Sequence, residues 1–453
     1  MAAAVASGLG SLSLEAEPPS QCGAYPETTP PVADADAGED APKDLDPHAT
    51  DLLWFHQFAT FERNVPGTFT KVRKLVKAIH GVVYLYRWDA PGMPPTEAVV
   101  KLMPTKNVNA NVGKEGNELC VHLAACASRS PPSGRGRRYA PCEPSLIPHQ
   151  EDALNEIGII TFLYKQADCP RYLLRLIDSF HEGPNTLLIT EYADGGEFFD
   201  QVASRKIDLS PSRIRLYMWQ LLQAVCYLHA KRIGHRDISL ENILITFKRD
   251  PPGQRIGEFR LMDFGGACQT HSRHGQVLRY FRPVGKAYYR PVEASVPPAA
   301  ETELKPPCDA QPGSVVFMKL ESIAHRGYWC EVMLPPDATP GTSCVAQLWG
   351  YTAPSMDMFA CGVCFFIMSW GVPPWQAAKL TDPLFAFVSS KENGVVELLR
   401  QWRKQPLSDQ VAMELLMRMM KPDPMQRPSA EASLASEWFA PLADQEVPRH
   451  NDD

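Results

Sequence analysis

One pair of motifs constrains this chain more than any other stretch of it. The run His235-Arg236-Asp237-Ile238-Ser239-Leu240-Glu241-Asn242 is followed by Leu261-Met262-Asp263-Phe264-Gly265, with the short spacing of a β-hairpin between them. A carboxylate suits the acceptance or orientation of a hydroxyl proton, and carboxylate and amide oxygens suit a hard cation such as Mg²⁺. Asp237 fits the first role, and Asn242 and Asp263 fit the second. An isolated Asp-Phe-Gly would be an ordinary turn. The two motifs in this order are far more specific.

The surrounding chain has room for a large fold. It has 453 residues, 44% of them hydrophobic, enough for a sizeable packed core. A formal charge of −7 gives no chain-wide reason to expect nucleic-acid binding or attraction to an anionic membrane. The start, Met1 to Gly10, lacks the basic residues and long apolar stretch of a secretory signal. The most apolar run, Phe359 to Val372, is interrupted by Gly362, Ser369 and Gly371 and is too short to span a bilayer. These features predict a soluble, intracellular and cytoplasmic protein with no membrane insertion. The 12 cysteines are scattered, and the single CxxC, Cys361 and Cys364, falls in a predicted buried helix where small core residues are expected.

Residues 1–50 hold nine acidic side chains, one lysine and seven prolines, a composition that predicts disorder. Residues 51–69 form a short extension in which Leu52, Leu53, Phe55, Phe58 and Phe61 can share a helix face. Three strands are expected at Phe69–Val72, Val82–Tyr86 and Ala98–Leu102, and two more at Leu173–Ile177 and Thr186–Tyr192. A helix is expected from Ala153 to about Tyr164. Four further helices are expected at Ser212–Ala230, Ser355–Met368, Gln410–Met419 and Ala430–Phe439. Two insertions interrupt the pattern: 106–150, with a basic Pro/Gly/Ser-rich loop, and 294–351, read as irregular. A sheet-rich half (70–192) followed by a helical half (193–440) implies two lobes and a cleft, with 441–453 as a tail.

The two opening motifs resemble the catalytic loop and Mg²⁺ loop of protein kinases. The resemblance covers about residues 70 to 440 and implies the α+β, bilobal kinase fold, with a small antiparallel sheet lobe and a larger helical lobe. It implies ATP and Mg²⁺ as cofactors and a protein as substrate. It places Lys101, ending Ala98-Val99-Val100-Lys101, on the α/β-phosphates, with Glu156 of the following helix as its partner. Thr190 would be the gatekeeper, and Glu191 and Ala193 would meet adenine through main-chain groups. Val83, Val99 and Leu244 would complete the nucleotide-binding set. Glu197 falls where such kinases contact ribose or a basic substrate residue; it also reads as an exposed acid stabilised at a helix start. Glu293 would pair with Arg427, and Asp357 would brace the catalytic-loop backbone.

The sequence departs from the family in three places. Val76 and Ala78 stand where the first two glycines of the phosphate-covering loop belong, which predicts a stiffer lid and weaker nucleotide binding. Ser239 replaces the catalytic-loop lysine, and Lys286 replaces the threonine that contacts it in the family. This pattern reads as an exchange, in which Lys286 supplies the cation and Ser239 the hydroxyl. The alternative is a surface lysine and a tolerated serine. Pro291-Val292-Glu293 replaces Ala-Pro-Glu before the second insertion. Arg236 is of the kind that meets a phosphorylated activation loop, for which Thr270 and Ser272 are the available hydroxyls; otherwise these two are exposed loop residues.

The catalytic loop lacks the Ala-Ala-Arg of tyrosine kinases, which points to serine/threonine substrates. Glu197 and Glu241 resemble the acidic pair that reads upstream arginines, and the chain leans toward the calcium/calmodulin-dependent group. The rival reading is a pseudokinase, a nucleotide-binding or scaffold module. The retained Lys101, Glu156, Asp237, Asn242 and Asp263 weigh against it.

Overall fold

The computed structural model describes residues 54–109, 152–250, 254–272, 275, 277–297, 299 and 301–451. The acidic segment 1–50 and most of the insertion 106–150 lie outside the described residues, as do Leu52 and Leu53.

Alternating, β-branched sequence builds the first layer. Strands β1 (Thr68–Lys77), β2 (Val82–Asp89), β3 (Thr96–Pro104), β4 (Leu176–Glu182) and β5 (Asn185–Glu191) form an antiparallel sheet in the order β1-β2-β3-β5-β4. Its outer face is closed by Ala98, Val100, Phe180, Leu187 and Ile189, while Val99 and Lys101, of the opposite parity on β3, are half-buried. A short turn of helix, α1 (Thr105–Val108), leaves β3. Helix α2 (Ala153–Tyr164) is capped by Asp152, whose carboxylate accepts from the backbone of Leu154 and Asn155. The expected strand at Leu173–Ile177 begins pairing only at Leu176, because Leu173 lies in a bridge to Leu261, whose carbonyl accepts from Leu174 and whose N–H donates to the Tyr172 carbonyl. The extension before β1 contributes one 3₁₀ turn, Trp54–Phe58, and Phe61 leaves it to stack on His181 at 4.2 Å.

The helical half begins with α3 (Phe198–Ala203) and α4 (Pro211–Ala230). Short pairings follow: β6 (Ile233–Gly234), the hairpin β7 (Ile243–Asp250) and β8 (Gln254–Leu261), and β9 (Cys268–Gln269), which pairs with β6. The region 294–351 is not irregular. It folds into a four-stranded antiparallel sheet from β10 (Glu301–Leu304), β11 (Val315–Lys319), β12 (Trp329–Met333) and β13 (Cys344–Gly350), ordered β10-β13-β12-β11. Prolines 306, 307, 312, 335, 336 and 340 fall in its connections, and they hid the short strands between them. Leu304, Leu320, Cys330, Val332, Leu334 and Leu348 give this sheet its own core.

Helix α5 (Ala353–Trp370) ends at Gly371, and α6 (Pro383–Ser389), α7 (Gly394–Gln401), α8 (Gln410–Met419) and α9 (Ala430–Leu434) complete the lobe. By length and composition α5 is apolar enough to cross a membrane, but 78% of it is buried inside the protein. Cys361 and Cys364 both lie on this buried helix, where burial pushes their thiols far above the ordinary range. The expected helix Ala430–Phe439 stops at Leu434; a separate 3₁₀ turn, Glu437–Leu442, is capped by Ser436 and contains Pro441. The tail does not simply trail away. Arg449 bridges to Pro170, and His450 donates its backbone N–H to Cys169 and bonds through its ring to Leu173.

Candidate active site

The β7–β8 register, Ile243 opposite Leu261, sets Asn242 beside Met262, whose N–H donates to the Asn242 carbonyl at 2.9 Å. This hairpin brings the two sequence motifs together. Asn242 donates its amide Nδ2 to the Asp237 carbonyl and to Asp237 Oδ2, both at 2.8 Å. Both bonds use nitrogen and leave the Asn242 side-chain oxygen available to a cation. Asp263 adopts φ 68°, in the left-handed region, and its carboxylate meets the Gly265 N–H at 3.4 Å.

The loop that carries Asp237 is fixed from below. Asp357, 1% exposed on α5, accepts from the backbone of His235 at 2.8 Å and of Arg236 at 2.7 Å. His235 is wholly buried and bonds to the Met262 carbonyl at 3.0 Å. Catalytic-loop and Mg²⁺-loop candidates therefore share one hydrogen-bonded frame.

Lys101 reaches Glu156 at 2.6 Å. Burial raises the Glu156 carboxyl above its usual range; Lys101 opposes this and Asp263 adds to it. Helix α2 is also tied to the loop after Asp263, through Asp152 N to the Gly265 carbonyl and Asn155 Nδ2 to the Ala267 carbonyl. Four sequence-predicted groups thus converge: the Lys101–Glu156 pair, Asp263, Asn242 and Asp237.

Lys286 joins them from the other side. Its backbone N–H donates to Asp237 Oδ1 at 3.0 Å, and its Nζ lies 2.9 Å from both Asp237 Oδ2 and Ser239 Oγ. Gly285 makes this approach possible. It has φ 80°, and a Cβ there would lie 2.5 Å from the Arg236 carbonyl. Sequence reasoning paired Lys286 with Ser239 but did not single out Gly285.

The nucleotide-binding candidates line the sheet beside this cluster. Val83 faces Lys101 across β2–β3, and Val99 faces Thr190 across β3–β5. Thr190 and Ala193 are buried. Leu244 bridges to Glu197. Glu191 differs from the expectation that only its main chain matters. Its carboxylate takes Arg260 Nε at 3.0 Å through both oxygens and the Arg175 N–H at 2.8 Å. Val76, which stands in the lid, is 53% exposed, and the turn Ala78–Gly81 closes on itself by backbone bonds.

Two further expectations change. Thr270 and Ser272 are 1% and 2% exposed, so they are not exposed loop residues. The β6–β9 pairing and a Thr270 Oγ1 bond to His271 draw them inward. Glu241 is held in place rather than open: Tyr288 donates to Oε1 at 2.6 Å and Tyr289 to Oε2 at 2.9 Å. A cavity of about 520 Å³ opens elsewhere, between β11, Trp329 and the segments around Lys391 and Lys421, and none of the candidate residues lines it.

Comparison with known families matches residues 145–317 to the protein kinase domain. The chain carries a protein kinase domain. Its five-stranded antiparallel sheet and helical lobe are the bilobal kinase fold. Among curated relatives, it is 24% identical to the serine/threonine-protein kinase CHK1 of Saccharomyces cerevisiae over 63% of this chain and 42% of that protein. It is 26% identical to the liver/testis phosphorylase b kinase gamma catalytic chain of Bos taurus, over 62% of this chain and 53% of that one. It is 34% identical to myosin light chain kinase 3 of Pongo abelii over 43% of this chain and 23% of that one. The chain thus spans about half or less of the length of these relatives.

Among the described residues no cluster of three or more His, Cys, Asp or Glu side chains forms a closed metal cage. A Mg²⁺ ion that keeps waters and phosphate oxygens in its shell does not need one, and the Asn242 oxygen with the Asp263 carboxylate is a fitting donor set.

Proposed function

We propose that this chain is an ATP-dependent protein kinase that phosphorylates serine and threonine hydroxyls. The observation that carries the reading is the convergence on Asp237 of Asn242 and Lys286, beside the Lys101–Glu156 pair. Asp237 orients the acceptor hydroxyl and takes its proton. Lys101, held straight by Glu156, steadies the α/β-phosphates. Asn242 and Asp263 would hold Mg²⁺, which would supply neutralisation of phosphate charge. Lys286 stabilises charge on the transferring phosphoryl group while Ser239 anchors its amine. Val83, Val99, Thr190, Ala193 and Leu244 shape the adenine side, with Glu191 there through its backbone.

We further propose a preference for a basic residue upstream of the acceptor, read by Glu197. Burial raises the Glu197 carboxyl, Asp200 and Glu241 add to the rise, and Lys286 opposes it. The same negative surroundings favour a guanidinium.

The test is transfer of labelled γ-phosphate from ATP with Mg²⁺ to basic and serine-rich peptides, beside an Asp263→Asn control. Transfer that disappears in the control supports the reading. ATP-dependent thermal stabilisation without transfer would leave a nucleotide-binding module instead.

A further inference from the structure

Arg236 precedes the proposed base and occupies the left-handed region at φ 65°. Its Nε donates to the Gly266 carbonyl at 2.7 Å. Among the described residues no carboxylate pairs with its guanidinium. What it meets is aromatic: the Tyr280 ring lies 4.7 Å from its central carbon. A ring face is a favourable place for a guanidinium cation.

These tyrosines come from two segments. Tyr280 lies between the Asp263 loop and Lys286, and its hydroxyl donates to the Gln269 carbonyl at 2.6 Å. Tyr351 directly follows β13 of the inserted sheet, and its hydroxyl donates to the Arg282 carbonyl at 2.6 Å. Their backbones exchange two hydrogen bonds, each 2.9 Å. Gly350 lets the strands approach: it has φ 67°, and a Cβ there would lie 2.6 Å from the Tyr280 carbonyl. Arg279 reaches Glu331 of β12, 2% exposed, at 2.5 Å. Cys268, Leu278, Tyr280, Val296, Tyr351 and Met356 close a small apolar core around the junction.

We propose that Tyr351, with Tyr280, is a positioning residue for catalysis, holding Arg236 and the 264–290 segment in the working arrangement without a phosphate. The inserted sheet is then a built-in clamp. The hydroxyls a phosphate would occupy, Thr270 and Ser272, are buried, so their modification would require this junction to open. An arginine in this position needs a fixed surface to rest on; a phosphate brings new charge to it, whereas here the Tyr280 ring is already in place, on a segment that Tyr351 ties down through the Arg282 carbonyl. The catalytic part of the proposal rests on the kinase reading above.

The experiment is hydrogen exchange and steady-state kinetics on the full chain after phosphatase treatment, with wild type, Tyr351→Phe and Tyr280→Leu. Treated wild type is expected to keep amide protection across 268–284 and a transfer rate within about two-fold of the untreated protein. Tyr351→Phe is expected to raise exchange there by about ten-fold and lower kcat by about ten-fold, with KM for ATP and exchange in β1–β5 near wild type. A merely structural loss would move melting and exchange throughout. If Tyr351→Phe does not fold, Tyr280→Leu reads the same segment. Loss of protection or activity on phosphatase treatment overturns the proposal, and so does a Tyr351→Phe protein with wild-type exchange and kcat. If the wild type transfers no phosphate, the exchange comparison still decides the clamp, and absent stabilisation by ATP and Mg²⁺ assigns that failure to the kinase reading.

Discussion

Lys286 Nζ stands 2.9 Å from Asp237 Oδ2 and 2.9 Å from Ser239 Oγ, so one ammonium bridges a carboxylate and a buried hydroxyl across 47 residues of chain. A lysine held this way is half-exposed, with its charge beside the group proposed to take the acceptor proton. It contributes where negative charge builds up in transfer more than where nucleotide binds. Lys286→Met is therefore expected to lower kcat by about 10²–10³-fold while ATP affinity stays near wild type. The double variant Ser239→Lys, Lys286→Thr should recover much of that loss, because it returns the cation to the other end of the same contact. Equal activity in Lys286→Met and wild type would sink the exchange.

Much of this site was legible because its chemistry is written in contiguous motifs. Asn242 and Asp263 flank one hairpin with Asp237 in the loop just before it, and Lys101 and Glu156 sit on a strand and a helix whose periodicity is plain. The contacts that lock the segment were not legible. Tyr280 and Tyr351 are 71 residues apart with a sheet between them, and short strands of four to seven residues among prolines carry little pattern. Glu241 illustrates a different limit. Its residue type suggested an open acid, but whether a carboxylate is free depends on what folds against it, here Tyr288 and Tyr289.

That difference between two acids is measurable. With both Glu241 oxygens accepting tyrosine hydroxyls and Glu197 exposed, Glu197 is the acid placed to meet an upstream arginine directly. Glu197→Gln is expected to cut the preference for arginine over alanine peptides by about ten-fold in kcat/KM. Glu241→Gln should instead lower activity on all peptides alike, by loosening Tyr288 and Tyr289. A peptide series read against both variants separates the roles, and a selective loss in Glu241→Gln would reverse them.

The Glu293–Arg427 pair predicts a stability effect. Both side chains are 1% exposed, with guanidinium–carboxylate contacts of 2.5 and 2.8 Å and further bonds to the carbonyls of Lys421, Ser355 and Pro422. Removing one partner strands the other charge in the interior. Arg427→Ala is expected to cost about 3–5 kcal/mol, read by urea denaturation. A loss below about 1 kcal/mol would mean that water reaches Glu293.

The tail supplies a pH dependence whose sign can be worked out. Burial, with Arg260 nearby, lowers the His450 imidazole from 6.5 to about 4. The folded chain therefore holds His450 neutral where the unfolded chain binds a proton, and stability falls as pH drops from about 6.5 towards 4. At pH 5 the loss from this one group is about 2 kcal/mol. His450→Gln keeps a donor for the Leu173 carbonyl but does not titrate, so the difference in unfolding free energy between pH 7.5 and 5, read by urea denaturation, should shrink by that amount. An unchanged difference would mean that the tail is already released at neutral pH. The contact lies close to the site: Leu173 is followed by Leu174, whose N–H donates to the Leu261 carbonyl, two residues before Asp263. Acid release of the tail is thus expected to raise amide exchange at Leu261 before the helices of the large lobe respond.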